Sequence, residues 1–197
     1  TVEVMSQEVF GLSCKQALVE HRSAVTCMAA VTNYYFKQAN RYMNMLITSG
    51  WDRRICVWDL DTGALIDVAK DVHRLQWNER EHMANDVILD LVYSPERNEI
   101  GYVSADWYLY LRTFHLDGRK IQLKQKLQGH HGEVNCLAWR PPLHEISTAM
   151  YATDPSPFDL FGAWITGSVD GTIRVWVLFL PLPQCIIPEF GSPVCCQ

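Results

Sequence analysis

A six-residue spacing recurs along this 197-residue chain. In three places an Asp stands six positions before a Trp or a residue that replaces it. The pairs are Asp52 with Trp58, Asp106 with Arg112, and Asp170 with Trp176. Such a pattern at long intervals is typical of a repeat architecture, in which each copy forms one supersecondary unit.

Short apolar segments bounded by turn residues surround each copy and predict β-strands. The predicted strands are residues 25–31, 45–49, 55–58 and 65–68 in the first unit, 88–93, 99–104, 109–114 and 121–127 in the second, and 134–139, 163–168 and 172–176 in the third. Four short antiparallel strands per unit correspond to one blade of a β-propeller.

With these units in place, the chain resembles the WD40 repeat family. The matching segments are Gly129-His130, Val134-Asn135-Cys136-Leu137, Thr166-Gly167-Ser168-Val169-Asp170-Gly171-Thr172, and Trp58-Asp59. They occur in the family's order, and the resemblance covers roughly residues 12–177. It implies an all-β fold, a partial WD40-type propeller of about three four-stranded blades with a preceding half-blade and inserted loops.

The expected domain organisation follows the units. It consists of a half-blade (1–20), blade I (21–70), a divergent blade II (71–129), blade III (130–178) and a divergent tail rich in Pro and Cys (179–197). The units are spaced more widely than the ~40–45 residues usual for such repeats. We therefore expect surface loops over residues 32–44, 70–84 and 142–158. In the half-blade, residues 1–5 and 12–19 are the predicted strands.

The resemblance also implies a buried hydrogen-bonded tetrad of His, Thr, Asp and Trp in a blade. The implied tetrads are His21, Thr48, Asp52 and Trp58 in blade I, and His130, Thr166, Asp170 and Trp176 in blade III. In blade II, Ala84 occupies the His position and Arg112 the Trp position. Blade II is therefore expected to hold together by packing alone or to be less rigid.

A docking face is implied by the same resemblance. In that family the loops that join the fourth strand of one blade to the first strand of the next, and the second strand to the third, form one face around the central channel, where partners often bind. The implied partner-binding residues are Trp51, Arg53, Arg54, Trp107, Tyr108, Arg22, His131 and Glu133. Trp and Arg on rigid turns are frequent anchors of protein interfaces. Alternatively, Trp51 and Trp107 fold back onto neighbouring blades.

The mixture of aromatic residues with both signs of charge favours a protein or peptide partner. A non-catalytic scaffold or adaptor in a larger assembly is the predicted function. An RNA-binding propeller that stacks bases on Trp51 and Trp107 is the alternative, although the formal charge of −5 disfavours it.

Enzymatic activity is not expected, because no Ser/His/Asp set, phosphate-binding loop or metal-binding His pair is visible. A catalytic or ligating role for His21 or His130 explains the spacing to Asp and Trp less well than the tetrad does. Asp59, Asp61 and Gly63 superficially suggest a calcium loop, but the Gly comes one position early and no Glu closes the loop. No metal or cofactor is predicted.

The cysteines and apolar runs of the chain bear on its compartment and on membrane association. The chain has seven cysteines, and the single ones at positions 14, 27, 56 and 136 are typical of small thiols in a reducing compartment. No signal peptide is visible, and the longest apolar stretch is short and broken by prolines. We expect an intracellular protein, cytoplasmic or nuclear, without a membrane partner.

Three blades are too few to close a propeller, which needs about four to eight. The chain is therefore expected to be a fragment that requires missing blades, a second copy or a partner to cover its open edges. The tail, residues 179–197, contains four prolines and a Cys-Cys pair outside the repeat pattern. A truncated or artificial terminus is favoured there over a native anchoring tail.

Overall fold

The structure is a computed structural model that describes residues 11, 13–36, 40–69, 84–114, 120–142 and 161–177. Within these residues it contains eleven β-strands. The strands are β1 (Val25–Phe36), β2 (Arg41–Gly50), β3 (Ile55–Asp59), β4 (Leu65–Ala69), β5 (Ile88–Ser94), β6 (Glu99–Ser104), β7 (Tyr108–Phe114), β8 (Ile121–Gln128), β9 (Val134–Arg140), β10 (Ala163–Ser168) and β11 (Ile173–Trp176).

The strands form three antiparallel sheets in chain order. Sheet I is β1-β2-β3-β4, sheet II is β5-β6-β7-β8, and sheet III is β9-β10-β11. Each strand pairs with the next strand of its sheet, as in a meander. The predicted all-β class is confirmed, and the described part of the third unit has three strands.

The expectation of a surface loop over residues 32–44 is wrong. β1 continues to Phe36 and β2 begins at Arg41, so most of this insertion lengthens the β1–β2 hairpin. Tyr35 and Tyr42 face each other across it, with ring centroids 5.2 Å apart. Cross-strand aromatic pairs of this kind stabilise a hairpin. The other two expected loops lie outside the described residues except at their ends.

The predicted strand over residues 12–19 is wrong for the described residues 13–19, which form no strand. A strand must hydrogen-bond to a neighbour, and the neighbour predicted for this one, residues 1–5, lies outside the described residues. The segment instead runs against sheet I. The side chain of Gln16 lies against Gly63, and Glu20 pairs with the guanidinium of Arg54 at 2.6 Å.

Sheets I and II pack face to face through a large apolar cluster. Ile47 and Val57 of sheet I meet Ile100 and Tyr102 of sheet II there, and all four are fully buried. A polar contact joins the first strands as well, since Thr26 Oγ1 donates to the carbonyl of Ile88 at 2.7 Å.

Sheets II and III pack through a second cluster. Val103 and Leu109 of sheet II meet Leu137 and Trp164 of sheet III. The backbone N–H of Leu137 donates to Asp90 Oδ2 at 2.8 Å. The first strands β1, β5 and β9 lie side by side, so the three sheets are arranged in series with these strands on the same side.

Within the described part of the chain, no helix has the length and hydropathy needed to cross a membrane.

Candidate functional site

The turns that follow the second strand of each sheet share one hydrogen-bond pattern. In each, a backbone N–H donates to the carbonyl of the segment that leads into the sheet. The pairs are Trp51 to Ala24 at 3.0 Å, Ala105 to Val87 at 3.1 Å, and Val169 to Glu133 at 3.0 Å. The three turns are therefore structurally equivalent and lie at the same end of their sheets.

A strained backbone position occurs in the same place in each turn. The residue after the turn Asp has a positive φ, which is 59° at Arg53, 77° at Trp107 and 79° at Gly171. Gly adopts this region freely, whereas a residue with a Cβ loses roughly 1–2 kcal/mol there. Sheets I and II thus place large side chains where Gly is the unstrained choice.

In sheet I, the four residues of the implied tetrad are in contact. His21 Nδ1 lies 3.0 and 3.1 Å from the Asp52 carboxylate oxygens, and His21 Nε2 lies 2.8 Å from Thr48 Oγ1. Trp58 Nε1 donates to the same hydroxyl at 2.9 Å. Because the ionised carboxylate only accepts, Nδ1–H donates to Asp52, and in the tautomer with its proton on Nδ1 the ring accepts from Thr48 through Nε2.

Sheet III repeats this arrangement. His130 Nδ1 lies 3.0 Å from Asp170 Oδ2, His130 Nε2 lies 2.8 Å from Thr166 Oγ1, and Trp176 Nε1 donates to Thr166 at 2.8 Å. The structure therefore brings together both implied tetrads. His130 and Thr166 are buried, whereas Asp170 and Trp176 are half-buried, so the network connects the interior of the sheet to the turn.

Both turn carboxylates are held as fixed acceptors. Burial opposes ionisation of Asp52, but the backbone N–H groups of Arg22 and Arg54 and the His21 ring outweigh it and keep its pKa below the ordinary value. The pKa of Asp170 is lowered by the hydroxyl of Thr172 and then by neighbouring N–H groups. An engaged carboxylate of this kind organises a turn and has no free proton to transfer.

Sheet II contains a substitute network, so the expectation that it holds together by packing alone is wrong. The hydroxyl of Tyr110 donates to Asp106 Oδ2 at 2.6 Å. The rings of Tyr110 and Tyr102 stack with centroids 4.9 Å apart and an interplanar angle of 2°. Arg112 Nε donates to the Tyr102 hydroxyl at 3.0 Å. Burial raises the pKa of both phenols, so they remain neutral.

The substitute follows the register of the tetrads. Tyr102 stands four residues before the turn Asp, as Thr48 and Thr166 do, and it receives the bond from Arg112 that Thr receives from Trp. Tyr110 approaches Asp106 as His does in the other sheets. Sequence reasoning missed Tyr102 and Tyr110, although the position of Tyr102 relative to Asp106 was a usable signal.

The two tryptophans of the implied docking face are exposed, Trp51 by 59% and Trp107 by 46%. Their turns are joined, since Arg53 Nη1 donates to the carbonyl of Asn85 at 3.2 Å, while the N–H of Asn85 donates to Asp106 Oδ2 at 2.8 Å. Trp51, Arg53 and Trp107 therefore lie along one continuous edge, which we call the turn edge.

Other implied contact residues divide into exposed and covered ones. Arg22, His131 and Glu133 are exposed at the turn edge. The expectation that Arg54 contacts a partner is not met, because its side chain is buried. It pairs with Glu20 Oε1 and lies near Asp52. Tyr108 is half-buried, with Lys126 Nζ 3.8 Å from its ring centroid.

The segment from Asp59 to Gly63 forms a tight turn. Asp59 Oδ1 accepts the N–H groups of Asp61 at 2.9 Å and Thr62 at 3.3 Å, and Gly63 has a φ of 71°. Among the described residues, no group of three or more His, Cys, Asp or Glu side chains is placed to hold a metal ion.

Three antiparallel meanders in series, with a His-Thr-Asp-Trp tetrad in two of them, define a segment of a WD40-type β-propeller. The family model "WD domain, G-beta repeat" matches residues 12–59 and 144–177. These two regions match WD40 repeats, and the resemblance seen in the sequence is confirmed there. Proteins of this family are generally non-catalytic scaffolds for protein–protein interactions.

Related proteins and a solved structure agree with this class. The chain is 23% identical over 185 residues to the WD repeat- and FYVE domain-containing protein 4 of Mus musculus, covering 92% of this chain and 5% of that protein. It is 26% identical over 132 residues to the Ribosome biogenesis protein WDR12 homolog of Trichoplax adhaerens, covering 66% and 24%. The structure of U3-55K matches with a TM-score of 0.56 at 14% identity, over 83% of this chain and 38% of that one.

The chain thus spans well under half of each of these proteins. We refer below to sheets I, II and III as blades I, II and III.

Proposed function

We propose that this chain is a non-catalytic scaffold segment that holds a protein or peptide partner on its turn edge. The observation that carries the proposal is the pair of exposed tryptophans, Trp51 and Trp107, in equivalent turns. Trp107 also has a positive φ, so the fold carries a conformational cost at a surface position where Gly has none. Strain at an exposed residue supports selection for binding over stability.

Rigidity of the turns supports the same role. Asp52 and Asp106 each accept a backbone N–H from the preceding loop, at 2.8 Å in both cases. Side chains presented by such fixed turns lose little entropy when a partner binds. Trp and Arg are the residue types that most often dominate binding energy.

The surroundings of the tryptophans favour a protein partner. Arg22, His131 and Glu133 add charges of both signs to the turn edge, and the net charge of the chain is −5. The name of the Trichoplax relative, a ribosome biogenesis protein, supports a role within a larger intracellular assembly, in the nucleus or the cytoplasm.

Replacing Trp107 by Gly tests the proposal, because binding is expected to change far more than stability. Relief of the positive φ adds roughly 1 kcal/mol to the free energy of unfolding, and loss of the covered half of the indole removes a similar amount. Loss of the indole should weaken partner binding by at least about tenfold, as expected for an interface anchor. The first effect is measured by urea denaturation and the second by quantitative affinity capture from cell extract.

Trp51→Ser and Tyr42→Ser complete this experiment. Tyr42 is also an exposed aromatic residue, but it lies on the β1–β2 hairpin away from the turn edge. Proteins held through the turn edge should be retained by the Tyr42 variant and lost from both Trp variants. Equal capture by all variants would contradict the proposal.

RNA binding is the second candidate, since exposed tryptophans also stack on unpaired bases and a relative is named for ribosome biogenesis. We expect no salt-sensitive binding of single-stranded poly(U) in fluorescence anisotropy between about 50 and 200 mM salt. Binding that weakens steeply over this range and is lost in Trp51→Ala would replace the scaffold proposal with an RNA-binding one.

A further inference from the structure

One face of blade III is apolar and open to solvent. Register places Ala138, Ile165 and Val175 in one cross-strand row, and Cys136, Gly167 and Ile173 in another row on the same face. Ile173 is 76% exposed and Val175 is 51% exposed. We call this surface the open face of blade III.

The same side chains are buried in blade I. Matching the two blades at their tetrads pairs five of the six residues of the open face with an identical residue in blade I, and Gly167 with Ser49. The matched pairs are Cys136 with Cys27, Ala138 with Ala29, Ile165 with Ile47, Ile173 with Ile55, and Val175 with Val57.

In blade I this surface is covered by blade II. Ile47, Ile55 and Val57 are completely buried in the cluster that blades I and II share, and Cys27 is also buried. An exposed Ile or Val side chain gives up roughly 1.5–3 kcal/mol of favourable burial. The open face of blade III therefore has the composition of a blade–blade contact and lacks its cover among the described residues.

The covering surface is always the tetrad face, meaning the face that carries the Thr and Trp of the tetrad or their replacements. Tyr102 and Tyr110, on the tetrad face of blade II, cover blade I. Leu137 and Trp164, on the tetrad face of blade III, cover blade II. Two successive contacts in this chain thus use the same pair of surfaces.

Blade I also has a tetrad face, and its first strand, β1, is exposed on that face at Met28. Met28 pairs with Thr48 as Leu137 pairs with Thr166, so Met28 and Leu137 hold equivalent positions. Leu137 is 7% exposed against blade II, whereas Met28 is 62% exposed. The chain therefore presents both halves of the contact that it already makes twice.

We propose that the open face of blade III binds the tetrad face of blade I in a second copy of this chain. The contact is heterologous, and it continues the series formed by blades I, II and III. Its residues lie on strand faces and not on the turn edge, so it is independent of partner binding by Trp51 and Trp107. Heterologous contacts produce a closed ring when the rotation between copies allows it.

Sedimentation velocity of the full chain over a range of concentrations tests the proposal with three variants. Ile173→Glu alters the open face, Met28→Glu alters the tetrad face of blade I, and Gln122→Glu adds the same charge at an exposed position of β8. We expect wild type and Gln122→Glu to self-associate and each of the other two to be monomeric. Because Ile173 and Met28 are exposed in the single chain, thermal unfolding should shift little for either variant.

Mixing the two monomeric variants provides the decisive measurement. The Met28→Glu chain keeps an intact open face and the Ile173→Glu chain keeps an intact tetrad face, so a mixture should form a heterodimer and nothing larger. A wild-type chain that is monomeric at every concentration would overturn the proposal. Self-association that persists in either variant, or a mixture without heterodimer, would overturn it as well.

Discussion

Replacing Thr166 by Val is expected to lower the free energy of unfolding by about 2–4 kcal/mol, because the buried His130 and the half-buried Trp176 both lose a hydrogen-bond partner. The Thr166 hydroxyl donates to His130 Nε2 and accepts from Trp176 Nε1, both at 2.8 Å. Thr166 and His130 are buried, so water has little access to replace these bonds. Val has nearly the shape of Thr, and the effect therefore reports the hydrogen bonds and not packing.

Two controls separate the network from side-chain size. Thr166→Ser keeps the hydroxyl and loses one methyl group, for which a cost of about 1 kcal/mol is expected. Thr32→Val makes the same Thr-to-Val change at an exposed position of β1 and should have almost no effect. Urea denaturation followed by tryptophan fluorescence measures all three, and a Thr166→Val cost no larger than that of Thr166→Ser would show that the tetrad contributes little.

The repeated spacing in the sequence located the strands of the three sheets, although not the full lengths of β1 and β2, because it reports local and repeated constraints. Alternating apolar residues and turn residues located β5 and β6 within a residue of their ends. The distance from Asp52 to Trp58 reflects a fixed geometry, in which a turn and one strand return the indole to Thr48. Such short-range geometry accompanies the motif, so the resemblance to the WD40 family implies it.

The substitute network of blade II could not be predicted in the same way. Its polar contacts involve side-chain types that differ at every position from His, Thr and Trp. Stacking of Tyr102 on Tyr110 depends on two strands being side by side in register, and an inserted or deleted residue would separate them. Blade II therefore lacks the His and Trp of the sequence motif, although its side chains still form a hydrogen-bonded network.

The solvent exposure of individual side chains could not be predicted from the sequence either. Arg54 and Arg53 are adjacent in the chain, yet Arg54 turns inward to Glu20 whereas Arg53 has a positive φ at the turn edge. The long β1–β2 hairpin was mistaken for a loop because residues 32–44 include Asn and Lys, which are common in turns. Composition identifies where a chain is polar, but not whether its backbone is paired.

A second large effect is expected at Gly101 in β6, where blades II and III pack together. A Cβ atom at this position would lie 2.6 Å from the ring of Trp164. The ring cannot easily withdraw, since it is buried and packs on Trp139 with centroids 4.8 Å apart. We therefore expect Gly101→Ala to destabilise the protein by roughly 1–3 kcal/mol, the usual cost of overpacking a core.

The sign of this change is informative, because Gly-to-Ala substitution in an open strand is stabilising by roughly 0.5–1 kcal/mol. Trp164→Leu removes the ring that the new methyl group meets, so in that background Gly101→Ala should be neutral or stabilising. Urea denaturation of the two single variants and the double variant then gives a coupling energy, expected at about 1–3 kcal/mol for residues in direct contact. If Gly101→Ala stabilises the wild-type chain, blade II and blade III are not packed through Gly101 and Trp164.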